Sequence, residues 1–164
     1  MKSLAEQMSV YQRYHRKPIT KLTHFIGVPM IVFAIIGVFN WLVIPLPSQH
    51  LPLTWVLIIV LTLYYALLNW RLALGMLAIF MILEGFAISV IHTHTSLDAL
   101  AFFVIFFVGG WIIQFIGHAF EGKKLALFDN LFQIFIAPTF LLTEACFLFG
   151  ALPKLKAEVA RLAQ

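Results

Sequence analysis

Four long apolar stretches constrain this chain more than any other feature of its sequence. They cover about residues 24–44, 53–70, 72–91 and 99–120. A helix needs roughly 20 mostly apolar residues to cross the hydrocarbon core of a bilayer, so each stretch predicts one transmembrane helix. The chain is 62% hydrophobic and only 11% charged, as is typical of integral membrane proteins. Without a flexible linker or a repeat, residues 1–164 are predicted to form a single membrane-embedded helical domain.

The basic residues predict the orientation of these helices. Lys and Arg precede the first stretch, occur at Arg71 between the second and third, and follow the fourth at Lys123 and Lys124, whereas residues 45–52 and 92–98 contain none. By the positive-inside rule the N-terminus is cytoplasmic. We expect the inner membrane if the source is bacterial and the endoplasmic reticulum if it is eukaryotic. The net charge of +4 is thus explained by orientation, and no nucleic-acid partner is predicted.

The last apolar stretch, residues 125–150, conflicts with a simple fifth span. Lys154, Lys156 and Arg161 follow it, and a fifth crossing would place them on the far side. A re-entrant hairpin bending near Ala137 and Pro138 removes the conflict, because proline lacks a backbone donor and interrupts a helix. The predicted fold is therefore an all-α integral membrane protein with four transmembrane helices plus a C-terminal re-entrant helical hairpin, and both termini are cytoplasmic.

Three histidines lie where apolar stretches meet basic clusters. In the predicted topology His15, His24 and His118 share the cytoplasmic depth of the membrane, and a break at Pro18 allows a turn to aim the first two at one point. Imidazole is a common ligand of transition metals, so this pattern indicates a metal site at the membrane edge. Interfacial histidines that only form hydrogen bonds are the alternative.

Other polar residues fall into two groups. Trp111, Gln114, His118 and Glu121 are spaced three or four residues apart, which places them on one helical face that should meet protein or water. Helix-to-helix hydrogen bonding explains the same stripe equally well. The pair His92 and His94 is expected on the opposite surface, about 30 Å away, and so outside any metal site formed by the other three.

Glu84 and Glu144 lie within apolar stretches, where an ionised carboxylate is costly. They leave open a small membrane transporter that uses these acids as a proton or ion path, or a structural membrane protein that uses them as buried polar groups. A diiron hydroxylase or desaturase is disfavoured because the sequence lacks repeated HxxH or HxxHH pairs. It also lacks a P-loop, GxGxxG and GxSxG, so nucleotide hydrolysis and common serine chemistry have no support.

Two segments resemble a known family. They are YHRKPITKLTHFIGVP at residues 14–29 and WIIQFIGHAFE at 111–121, and they are accompanied by DNLFQ at 129–133 and by Ala137-Pro138. Together they resemble the membrane family that includes the yeast endoplasmic-reticulum 2-hydroxy fatty acid dioxygenase. Thr20 departs from the family pattern, which usually has Asn there.

The resemblance implies a non-haem Fe(II) dioxygenase that uses O2 to shorten a 2-hydroxy fatty acid by one carbon in α-oxidation. It implies that His15, His24 and His118 are the metal and catalytic residues, with Glu121 as a further ligand or an orienting partner. In this reading the cationic side chains attract the acid head and Gln114 contacts it, while the alkyl chain stays among membrane lipids and helices. The residues expected to bind substrate are Arg16, Lys17, Lys21, Gln114 and Lys123.

Overall fold

The computed structural model describes residues 2–122 and 133–163. This part of the chain is helical apart from one short hairpin. The elements are α1 (Leu4–Tyr14), α2 (Pro18–Phe39), β1 (Val43–Pro45), β2 (His50–Pro52), α3 (Leu53–Leu68), α4 (Trp70–Thr93), α5 (Ser96–Glu121), α6 (Gln133–Leu148) and α7 (Pro153–Leu162).

Three of these helices, α2, α4 and α5, are long and apolar enough to cross a membrane. Helix α3 is apolar but has only 16 residues, so the structure supports three of the four predicted spans by length. The first span also differs from its prediction. It begins at Pro18 and ends at Phe39. The predicted span could not continue to residue 44, because residues 43–52 pair as an antiparallel hairpin with Ile44 opposite Leu51.

The link between α3 and α4 is a single residue. Asn69 both ends α3 and begins α4, and its side-chain oxygen accepts the backbone N–H groups of Arg71 and Leu72. This bonding supplies partners for donors that a helix start otherwise leaves open. A single residue can therefore turn the chain between two apolar helices.

Helices α2 and α5 pack against each other in opposite directions, and glycines bring their backbones close. A Cβ atom on Gly27 would lie 2.7 Å from the carbonyl oxygen of Gly110, and one on Gly110 would lie 2.8 Å from that of Gly27. Farther along, a Cβ on Gly117 would meet the Thr23 hydroxyl. Small residues allow such contact between membrane helices. The resulting register places His24 on α2 beside His118 on α5.

The predicted bend at Ala137 and Pro138 is wrong. Helix α6 continues through Pro138, and the sharp change of direction, 117°, comes after Leu148 and before α7. A proline inside the helix removes one backbone bond, whereas a break in apolar surroundings would leave several groups without partners. The rest of the predicted hairpin, residues 123–132, lies outside the described residues. Helix α7 packs against α1, with Val159 buried in the same core as Met8.

Candidate metal centre and adjoining cavity

The structure brings the three predicted histidines together. One ligand atom from each of His15, His24 and His118 lies within 4.8 Å of the other two, and all three side chains are buried. His15 comes from the turn between α1 and α2, His24 from α2 and His118 from α5. In residues 2–122 and 133–163 this is the one group of three or more His, Cys, Asp or Glu side chains able to hold a metal ion.

Hydrogen bonds fix the tautomers of two of these rings. The Nδ1 atom of His15 lies 2.7 Å from the Tyr11 carbonyl oxygen, and that of His24 lies 2.8 Å from the Thr20 carbonyl oxygen. A carbonyl can only accept, so each Nδ1 donates and each neutral ring presents a lone pair at Nε2. The two Nε2 atoms lie 3.1 Å apart. Two facing lone pairs repel each other unless a cation or a proton lies between them.

The third ring completes a donor set. The His118 ring centroid is 4.9 Å from that of His15 and 5.0 Å from that of His24. Its Nδ1 atom is buried and has no hydrogen-bond partner among the residues that the structure describes. A buried polar atom without a hydrogen-bond partner costs free energy, and a bound ligand at this atom would remove that cost. Convergent imidazoles with fixed tautomers fit a divalent transition metal.

Aromatic packing keeps the first ring neutral and in place. The Tyr11 ring stacks on His15 with centroids 4.0 Å apart, and Phe140 of α6 packs against both. Burial, followed by the nearby His24, lowers the pKa of His15 to about 2. The ring is therefore neutral at physiological pH, as metal ligation requires.

Glu121 lies at the edge of this cluster and accepts hydrogen bonds from the start of α2. Its carboxylate accepts the backbone N–H of Arg16 at 3.1 Å, that of Lys17 at 2.9 Å and the Thr20 hydroxyl at 2.7 Å. These donors belong to the start of α2, where a negative charge is favourable. The geometry gives Glu121 a direct positioning contact with the turn that carries His15. Thr20, which departs from the family pattern, still forms a side-chain hydrogen bond here, and its hydroxyl also contacts the Gly117 carbonyl.

The predicted substrate-binding residues are in different surroundings. Gln114 lines the cavity described below, one helical turn from His118. The Lys17 ammonium donates to the Phe120 carbonyl, and Lys21 forms a 2.6 Å salt bridge with Glu144. Arg16 and Lys21 line a second, surface groove that also reaches His15. Lys123 lies outside the described residues.

An apolar cavity of about 210 Å³ adjoins the histidines. The three imidazoles, Tyr11 and Gln114 line one end, and aliphatic and aromatic side chains from α2 to α6 line the remainder. Binding pockets for amphipathic ligands combine such an apolar wall with a few polar groups. The stripe at Trp111, Gln114 and His118 thus faces the protein interior, as predicted.

The other polar candidates lie outside the metal cluster. His92 and His94 are exposed, and neither belongs to the metal cluster. Glu84 accepts a hydrogen bond from Asn40, and Glu144 forms its ion pair with Lys21. These contacts suit structural roles for both carboxylates.

Comparison with known proteins identifies the relatives of this chain. No solved structure matches it. A protein of Saccharomyces cerevisiae, 2-hydroxy-palmitic acid dioxygenase MPO1, is 36% identical over an alignment of 158 residues that covers 94% of this chain and 86% of the yeast protein. A family profile described as 2-hydroxy-palmitic acid dioxygenase Mpo1-like matches residues 1–148. The resemblance found in the sequence is thereby confirmed: this chain belongs to the Mpo1-like family.

Proposed function

We propose that this protein is a non-haem Fe(II) dioxygenase of 2-hydroxy fatty acids. The observation that carries the proposal is the position of three buried, converging imidazoles at one end of an apolar cavity. The name of the yeast relative supports the reaction class. In this proposal His15, His24 and His118 hold the metal.

The substrate suits the two ends of the cavity. A 2-hydroxy acid carries neighbouring hydroxyl and carboxylate oxygens that can chelate one cation, while its alkyl chain matches the apolar wall. A bound Fe(II) ion supplies open coordination positions and redox chemistry. The histidines hold the ion, Gln114 lies near enough to orient the acid head, and the buried surroundings exclude water.

Atom balance fixes what the reaction must release. Shortening by one carbon breaks the bond between C1 and C2 of the acid. C1 leaves as CO2, and C2 is oxidised from an alcohol to the new carboxyl group. O2 is the oxidant, and one water forms for each O2 consumed.

The basic residues are assigned to the approach of the acid. Arg16 and Lys21, in the surface groove beside His15, attract the carboxylate electrostatically. Lys17 is assigned the same role, as is Lys123, which lies outside the described residues. In this proposal that surface is cytoplasmic, α3 crosses the membrane in addition to α2, α4 and α5, and the bent pair of α6 and α7 is a re-entrant element. Glu121 serves as the positioning residue for the histidine turn.

Product analysis tests the proposal. Anaerobically purified protein loaded with Fe(II) is given a long-chain 2-hydroxy acid and O2, with the matching acid that lacks the 2-hydroxyl as control. We expect a product one carbon shorter, CO2 released in equal amount to the O2 consumed, and no turnover of the control acid. Absence of the shortened product from metal-loaded, folded protein would overturn the proposal.

A further inference from the structure

We propose that a two-layered floor at the far end of the cavity sets the maximum chain length of the ligand. The apolar layer of this floor consists of Ile36, Ile58 and Phe80, and the polar layer behind it consists of Asn40, Thr54 and Glu84. The inference rests on the proposed function in taking the ligand to be an acyl chain with its head at the histidines.

One face of α2 forms a continuous wall from the histidines to this floor. Its cavity-lining residues recur at intervals of one to four and so lie on one side of the helix. They are His24, Val28, Ile31, Val32, Ile35 and Ile36. Beyond His24 all of them are aliphatic, so a ligand extending along this wall meets no hydrogen-bonding side chain of α2.

The apolar layer closes the cavity from three helices. Ile36 of α2 is 1% exposed, Ile58 of α3 is 2% exposed and Phe80 of α4 is 1% exposed. All three line the cavity. Side chains so completely buried are close-packed, so the floor cannot yield to a longer ligand without a loss of packing.

Each residue of the apolar layer has a polar residue four positions away on its own helix, which is one turn. Asn40 follows Ile36, Glu84 follows Phe80, and Thr54 precedes Ile58 on α3. The Thr54 hydroxyl and the Asn40 amide both donate to the Ile36 carbonyl, at 3.0 and 3.1 Å. The Asn40 amide also donates to Glu84 at 2.8 Å.

This polar layer opposes any extension of the cavity. The second carboxylate oxygen of Glu84 is buried and has no partner within the described part of the chain, so the layer already contains an unsatisfied polar atom. Alkyl groups pushed against these residues would break further hydrogen bonds without replacing them, which is costly in a buried site. The layer therefore fixes the position of the floor.

Helix geometry gives the scale of the cavity. The twelve residue-to-residue steps from His24 to Ile36 span roughly 18 Å at the helical rise of about 1.5 Å per residue. A zigzag chain with bonds near 1.52 Å and angles near 111° advances about 1.25 Å per carbon. A straight acyl chain between histidines and floor thus has roughly 14 carbons, which places the ligand among long-chain acids.

Two substitutions with opposite effects test the floor. Phe80→Ala removes the largest side chain of the apolar layer, and we expect the optimum to move to acids longer by roughly two to four carbons. In this variant the kcat/KM of the longer acid, divided by that of the acid preferred by the wild type, should rise about tenfold. This factor corresponds to the burial of roughly two additional methylene groups. Ile58→Phe fills the floor and should move the optimum to shorter acids. Phe86→Ala is the matched control, because Phe86 lies on the same helix but is 63% exposed.

Two measurements separate this inference from the proposed function. The first is turnover of a homologous series of 2-hydroxy acids, and the second is thermal stabilisation of the detergent-solubilised protein by saturated fatty acids that lack the hydroxyl. If the wild type oxidises no member of the series, the proposed function is wrong. The thermal stabilisation by fatty acids of different length then tests the floor without reference to turnover. Unchanged length optima in folded Phe80→Ala and Ile58→Phe would overturn the inference. Phe80→Leu replaces Phe80→Ala if the latter does not fold.

Discussion

Lys17 and Glu121 stabilise the ends of two helices reciprocally. The carboxylate of Glu121, the last residue of α5, accepts the backbone N–H of Lys17 at the start of α2, and the Lys17 ammonium donates to the Phe120 carbonyl at the end of α5. Each terminus thereby receives the charge that its dipole favours. Helices α2 and α5 carry His24 and His118, so the exchange holds two of the proposed metal ligands in position.

Loss of the contacts between Lys17 and the end of α5 should weaken metal binding indirectly. Glu121→Ala is expected to lower the free energy of unfolding by about 1–3 kcal/mol, since it leaves several donors without an acceptor. Glu121→Gln keeps an acceptor and should retain metal. Thermal unfolding and metal affinity are measured together, with exposed Glu158→Ala as control. If Glu121→Gln abolished metal binding without loss of stability, Glu121 would be a ligand instead.

The glycine contact between α2 and α5 predicts opposite effects for two similar substitutions. Gly110→Ala places a Cβ 2.8 Å from the Gly27 carbonyl oxygen, so the helices must move apart and stability and metal affinity should both fall. Gly85→Ala meets no atom within 4 Å and should raise stability by about 0.5–1 kcal/mol, because alanine favours helix. Thermal unfolding in detergent measures both. Equal effects of the two variants would exclude this packing.

The ion pair of Lys21 with Glu144 should couple α2 to α6. At 2.6 Å, with Glu144 largely buried, it is expected to contribute a coupling energy of about 1–3 kcal/mol, more than an exposed pair. A double-mutant cycle with Lys21→Met and Glu144→Gln measures this energy. Additive effects of the two substitutions would show that the pair contributes nothing to stability.

Metal-free protein should lose stability in acid through His15. Its pKa in the folded protein, about 2, lies below its ordinary value of 6.5, so the unfolded chain binds more protons between these values. The stability contributed by neutral His15 is fully present above pH 6.5 and declines as the pH falls through that window, by about 1.4 kcal/mol per pH unit at most. His15→Gln should flatten this dependence, whereas exposed His92→Gln should not. A wild-type pH slope in His15→Gln would contradict the assignment.

The sequence predicted the histidine cluster because each ring lies beside a basic segment at the end of an apolar stretch. The positive-inside rule then predicted that these residues, although distant in sequence, share the cytoplasmic depth of the membrane. The capping role of Glu121 was not predictable in the same way, because its partners are backbone groups whose positions depend on the turn at Arg16 and Lys17.

The floor of the cavity was also beyond sequence reasoning. Glu84 was recognised as a costly buried acid, but its partner Asn40 belongs to another helix, and no periodic pattern connects the two. Pro138 misled the prediction because local propensity favours a break, whereas apolar surroundings favour a continuous helix. Pairing between separate helices requires the tertiary register, which for Asn40 and Glu84 is that of α2 against α4.

The most direct measurement is the metal content of anaerobically purified protein. We expect close to one iron per chain in the wild type and in His92→Ala, because the exposed His92 lies outside the cluster. His15→Ala, His24→Ala and His118→Ala should each lose metal and activity by more than the roughly 10–100-fold typical of outer partners. Wild-type metal content in all three variants, or folded wild-type protein that binds no iron when it is supplied, would contradict the account.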